Sequence, residues 1–166
     1  MDDQNSKVLS VMKERDYYQA KVEELQNRVK VLEYDNAEKL NIDENWVRNI
    51  CKKILIANKQ HEASITIIFS NDSKLRKLKN EYFGEDVFTD TISFNLEEES
   101  DPIEGEVYIS LERVSENATT FKQDFITECQ RVIIHGCLHL LGYNDETPED
   151  KTKMIQLEET YLSYNN

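Results

Sequence analysis

Cysteine, proline and glycine are all scarce in this chain of 166 residues, which holds three Cys, two Pro and four Gly. Cys51, Cys129 and Cys137 are odd in number and form no C-x-x-C pair. A disulfide framework is therefore excluded as the main source of stability, and a reducing, cytoplasmic compartment is expected. So little Gly and Pro leaves no material for a flexible linker. No apolar run approaches the ~18–20 residues that cross a bilayer. The opening Met1-Asp2-Asp3-Gln4-Asn5 lacks the apolar stretch of a secretory signal. Positive charge is also short, with 20 Lys+Arg against 33 Asp+Glu and a net charge of −13. That balance excludes loose, nonspecific coating of nucleic acid. At 39% hydrophobic and 32% charged residues, the composition is that of a globular protein.

Two kinds of pattern are present. In the first thirty residues Val8, Val11, Tyr18, Val22, Leu25, Val29 and Leu32 recur in steps near three and four, interrupted by Arg15. This is a heptad seam of about three and a half repeats. It reads either as a coiled coil that makes a homodimer through residues 8–32, or as an amphipathic helix folded back on its own domain. Val29-Lys30-Val31-Leu32-Glu33-Tyr34 also alternates as a strand does, so the heptad can end near Arg28. The chain accordingly divides into 1–28 and 29–166.

From Ile42 onward helices and strands interleave. Asp43 can cap a helix whose apolar face holds Trp46, Val47, Ile50, Ile54 and Leu55. Ser64–Phe69, Thr91–Phe94 and Val107–Ser110 read as strands. Asn71 or Asp72 opens a short basic helix through Lys79. A long helix from Phe125 to Leu141 stops at Gly142, and Thr147-Pro148 opens the last one. The expected class is α+β, a small mixed sheet of about four strands packed with helices.

The chemistry concentrates in His135-Gly136-Cys137-Leu138-His139-Leu140-Leu141-Gly142-Tyr143-Asn144-Asp145. Histidines four apart on a helix project from one face, a spacing that lets two imidazoles hold one ion. The Gly142 stop lets the chain turn back, and Asp145 is then the nearest anionic third ligand. Two imidazoles, a carboxylate and an open position describe a catalytic zinc site. The same spacing also fits two hydrogen-bonded core histidines. Cys137 lies on the opposite helix face and is read as core. Gly136 stands where a zinc peptidase of the H-E-x-x-H type carries its Glu base, which disfavours peptide hydrolysis. His61 reads as solvated.

This segment resembles the signature H-G-x-L-H-L-x-G-Y-D-H of the bacterial YbeY family, zinc-dependent endoribonucleases of ribosomal RNA maturation. Thr89-Asp90-Thr91-Ile92-Ser93-Phe94 and Gly105-Glu106-Val107-Tyr108-Ile109-Ser110 resemble that family's T-D-V-L-S-F and G-D-I-x-I-S motifs, in the same order. The resemblance implies a mixed sheet with the metal helix over a cleft. It also implies one zinc ion on His135, His139 and the position of Asp145, where the family has a third histidine. With Asp there, other divalent metals compete. An Arg that many members place six residues before the T-D motif is Phe83 here, and Arg113 and Arg131 are the candidates to replace it.

The activity implied is endoribonuclease action in ribosomal RNA maturation and ribosome quality control, with an RNA precursor and the small ribosomal subunit as partners. A ribosome-binding or assembly factor with a structural or vestigial metal site is the alternative. No residue is nominated as the catalytic acid or base. Residues 1–28 are nearly balanced in charge, so the acidity belongs to the rest. Basic residues cluster at Arg48, Lys52 and Lys53 and again at Lys74–Lys79, where Arg76, Lys77 and Lys79 are candidate RNA contacts. Side by side, the two helices would make one positive stripe. Read separately, they are ordinary solvated faces.

Overall fold

The computed structural model describes residues 13, 15, 29–33, 42–60, 62–98 and 102–164. The heptad positions Val8 through Leu25, and His61, lie outside the described residues. Four strands form one sheet: β1 (Val29–Glu33), β2 (Ser64–Ser70), β3 (Thr91–Asn95) and β4 (Glu104–Ser110). Their order is β1-β2-β4-β3. β1, β2 and β4 run parallel, and β3 pairs antiparallel with β4 at the edge. Five helices are described: α1 (Glu44–Ala57), α2 (Asp72–Phe83), α3 (Leu111–Phe121), α4 (Phe125–Leu140) and α5 (Pro148–Ser163). The α+β class with a mixed four-stranded sheet is as expected. The last two heptad positions, Val29 and Leu32, belong to β1, so any heptad helix ends by Arg28.

Side-chain alternation separates the faces of the sheet. Ile65, Ile67 and Phe69 of β2, with Val107 and Ile109 of β4, enter the main core with α1 and α4. Ile92, Phe94 and Tyr108 point the other way, onto Leu75 and Leu78 of α2. Each helix begins on a side-chain cap. Asp43, Asn71, Ser110, Asp124 and Thr147 accept from Asn45, Lys74, Arg113, Thr127 and Asp150 N–H in turn. Each such cap satisfies an otherwise orphaned donor. Helix α3 was not anticipated from the pattern. Its residues Leu-Glu-Arg-Val-Ser-Glu-Asn-Ala-Thr-Thr-Phe include weak helix formers, and only Val114 and Ala118 are buried. Ser110 ends β4 and caps α3 at once, leaving no turn to read.

Helix α4 is the centre of the molecule. It packs on β3, β4, α1, α3 and α5, and Cys129, Ile133, Ile134, Cys137 and Leu138 are fully buried. All three cysteines are core residues, with Cys51 Sγ of α1 and Cys137 Sγ in contact at 3.5 Å. Gly136 lets α4 lie against the sheet: a Cβ there would stand 2.3 Å from Val107 Cγ1. Ser93 Oγ then donates to Gly136 O (2.9 Å), and Asn95 Nδ2 to Leu140 O (3.2 Å), so β3 holds the helix by two of its carbonyls.

Gly136→Ala is expected to destabilise the fold by about 1–3 kcal/mol, the usual cost of overpacking a filled core. Urea unfolding read by circular dichroism measures this. An unchanged midpoint would contradict the close helix–sheet approach.

Candidate metal centre

His135 and His139 stand one turn apart on α4, and the local sequence turns the chain back toward them. Gly142 adopts φ +82°, with its N–H donating to His139 O (2.9 Å) and Tyr143 N–H donating to Leu138 O (3.1 Å). These are the paired bonds of a Schellman motif, which needs the left-handed conformation that glycine adopts without strain. The turn brings Asp145 to the histidines. Its Oδ2 lies 3.8 Å from His135 Nε2 and its Oδ1 4.0 Å from His139 Nε2. The structure thus brings together all three residues picked out as ligands, with donor atoms within 4.8 Å of one another.

Hydrogen bonds at the far side of each ring settle the tautomers. His135 Nδ1 is 2.7 Å from Glu158 Oε1, and His139 Nδ1 is 2.8 Å from the Tyr143 carbonyl oxygen. A carboxylate and a carbonyl only accept, so both Nδ1 atoms carry the proton. Each neutral ring then presents a bare Nε2 lone pair, and the two Nε2 atoms face one another at 2.9 Å. A carboxylate completes the group. Three acceptors converging without a donor require a cation between them, a proton on one ring or a metal ion. Ligand atoms around a four-coordinate zinc stand about 3.3–3.5 Å apart, and the separations of 2.9, 3.8 and 4.0 Å bracket that spacing.

The electrostatics are asymmetric. Burial disfavours the charged form of His135. The bond and charge of Glu158, with help from Asp90 and Asp145, outweigh it and hold its pKa above the ordinary value. His139 is pushed down, by burial first and then by the charge of His135. Glu158 is itself only 6% exposed on α5, where Arg131 Nη1 approaches its Oε2 at 3.4 Å.

Beside His135 a cavity of about 520 Å3 opens between α3, α4 and α5. Asp90 and Glu158 line it, and so does Arg131. Arg131 is thus the one of the two arginine candidates that reaches the site. Its guanidinium is already engaged by Glu159 (2.8 Å), Glu158 (3.4 Å) and Glu128 (3.6 Å). Arg113 is instead clasped by Asp72, Nε to Oδ2 at 2.9 Å, and by Glu116, and lies over Phe88. Phe83 closes α2 half-exposed and stacks on Phe94, ring centroids 6.0 Å apart.

Arg76, Lys77 and Lys79 lie on α2, across the sheet from α4, and are not brought to the histidines. The basic run of α1 lies on the α4 side, so the two runs do not form one stripe. The two helices pack on opposite faces of the sheet, a placement that follows from strand order. Arg76 pairs with Asp86 (2.5 Å) and Lys79 with Glu85 (3.2 Å). Glu158 and Glu128 were missed in the sequence. Glu158 carried one signal, a carboxylate in the i, i+4, i+7 row Met154, Glu158 and Tyr161 that α5 buries.

No helix among the described residues is long and apolar enough to cross a membrane. Residues 21–166 match the family model described as endoribonuclease YbeY. Relatives named endoribonuclease YbeY include one from Amoebophilus asiaticus, 41% identical over 73% of this chain and 80% of that protein. Another, from Flavobacterium psychrophilum, is 42% identical over 71% of this chain and 81% of its own. A solution structure of a Thermotoga maritima protein superposes with a TM-score of 0.53 at 26% identity, over 81% of this chain and 86% of that one. With the family model spanning most of its length and two such relatives, the chain belongs to the YbeY family.

Proposed function

We propose that this protein is a metal-dependent endoribonuclease of ribosomal RNA maturation and ribosome quality control. One divalent ion, zinc by its donor set, is held by His135, His139 and Asp145. The observation that carries this reading is the convergence of two Nε2 lone pairs and a carboxylate on one point. The relatives named endoribonuclease YbeY support RNA as the substrate.

When bound, such an ion supplies Lewis acidity to a phosphoryl oxygen and lowers the pKa of water toward ~7. The residues prepare the site for it. Glu158 holds the Nδ1 proton of His135 and adds negative charge behind the ring, which raises the basicity of Nε2. The Tyr143 carbonyl does the same for His139 without the charge. Asp145 is 45% exposed along its side chain, so the third ligand stands on the solvent side, where substrate enters. Its oxygen donors widen the choice of metal beyond zinc.

Lys77 is the cation of α2 with the least internal pairing, and RNA contact through α2 rests mainly on it. The ribosome would supply the remaining binding energy that a chain of net charge −13 lacks. The other reading, an assembly factor with a structural metal site, is favoured by one observation: Arg113 and Arg131 are both held by carboxylates. Of residues 8–32, the segment expected to make a homodimer, positions 29–32 are taken by β1, so the proposed dimer segment is 8–28.

Asp145→Ala and His139→Ala are each expected to lose stoichiometric metal, measured by elemental analysis, together with chelator-sensitive cleavage of a structured RNA. Wild-type metal content in Asp145→Ala would remove it as a ligand. For Glu158→Gln, competition against a chromophoric chelator should show metal affinity lower by about 10–100-fold, the usual cost of losing an outer-shell partner of a ligating His. An unaltered affinity would make Glu158 a packing residue. Lys77→Glu should weaken RNA binding and flatten its salt dependence; binding that keeps the wild-type salt slope would take α2 out of the interface.

A further inference from the structure

The cavity beside His135 carries a second recognition chemistry, different from that of the metal cluster. At about 520 Å3 it lies within the range of small-molecule sites, about 300–1,000 Å3. Since His135 forms part of its wall, whatever fills it adjoins the metal ligands. Its walls repel phosphate. Three carboxylates, Asp90, Glu128 and Glu158, line it against one guanidinium, and Arg131 is already paired.

The remaining polar groups are two side-chain amides. Asn117 Nδ2 donates to Asp90 Oδ2 (3.0 Å). Gln123 Nε2 donates to Glu128 Oε2. Each amide thus directs a donor at a carboxylate, and oxygen acceptors outnumber the donors left to meet a ligand. Apolar surface completes the cavity. Val132 lies in the wall, and Phe121 and Ile155 are exposed at the rim, by 61% and 56%. An exposed aromatic ring beside an acceptor-lined hollow suits a flat, neutral, N–H-rich group.

Among RNA components, only a base is flat and uncharged, and guanine carries the most N–H on one edge. Its N1–H and N2–H donate in parallel, as a carboxylate accepts. Adenine and cytosine present a ring nitrogen lone pair beside their amine, and uracil has a single N–H between two carbonyls. We propose that this cavity is a nucleobase subsite, selective for guanine, that takes the base of a nucleotide next to the bond presented to His135, His139 and Asp145. Asp90 faces the Watson–Crick edge and Phe121 stacks on the ring. The proposal rests on the reading of the protein as an endoribonuclease.

The test uses phosphate-free nucleosides with the full-length protein. Binding of guanosine, adenosine, cytidine and uridine is measured by saturation-transfer NMR and titration for wild type, Asp90→Asn and Phe121→Ala, with inorganic phosphate as competitor. Guanosine is expected to bind about 10- to 100-fold more tightly than uridine, the worth of a bidentate base contact. Asp90→Asn should erase that preference, Phe121→Ala should weaken all four nucleosides, and phosphate should displace none of them. Equal affinity for the four nucleosides, no binding, or displacement by phosphate would overturn the subsite. RNA cleavage by the same proteins separates the two readings. Guanosine selectivity in a protein that cleaves no RNA removes the nuclease and keeps the base site. Cleavage whose base pattern survives both substitutions removes the base site and keeps the nuclease.

Discussion

The structure depends on one close contact, that of Gly136 with Val107. Helix α4 has buried residues around most of its circumference, so it must be covered on nearly every side. The sheet can cover it closely only where a helical position has no side chain. Gly136 meets Val107 there, and Gly105 repeats the device one layer on, where a Cβ would stand 2.7 Å from the Leu140 methyl carbons. Seated in this way, α4 presents His135 and His139 to Asp145 and brings His135 against Glu158 of α5.

The same contact accounts for the missing peptidase base. Position 136 faces Val107, Thr91 and Ser93, so a Glu there would be driven into the sheet. Acidic groups reach the cluster from elements that edge it instead. Asp90 stands at that edge and lines the cavity beside His135. It directly precedes β3, its carbonyl accepts from Ser110 N–H (2.8 Å), and its charge acts on both histidines.

The elements with local signals were legible. The Asp43, Asn71 and Thr147 caps, the β-branched run of β2 and the Gly142 stop each mark a boundary through the chemistry of one or two residues. The cluster of His135, His139 and Asp145 was legible for the same reason: i, i+4 spacing and a left-handed stop are short-range facts. What was not legible depends on tertiary packing. Glu158 lies 23 residues from His135 in sequence and meets it only because α5 folds across α4. The face that α2 occupies follows from strand order, which no residue of α2 encodes. Helix α3 hides because Ser110 serves strand and helix together.

Charge is where sequence and structure differ most. The basic run on α2 looks like a phosphate track until the following loop returns Glu85 and Asp86 to Lys79 and Arg76. On α1, Arg48 is engaged likewise, donating to the Val29 carbonyl and pairing with Glu44. Arg113 and Arg131 are held by carboxylates of their own helices and neighbours. A protein at −13 with Arg48, Arg76, Arg113 and Arg131 so engaged offers a polyanion little positive surface among these arginines. On the proposed function, the charge that draws a phosphate inward must therefore sit at the histidine cluster. Two neutral imidazoles and one carboxylate around a divalent ion leave it a net charge of +1. Replacing a third imidazole by Asp145 thus halves the attraction at the centre, which makes the acceptor-lined cavity beside it the more important source of grip on the substrate.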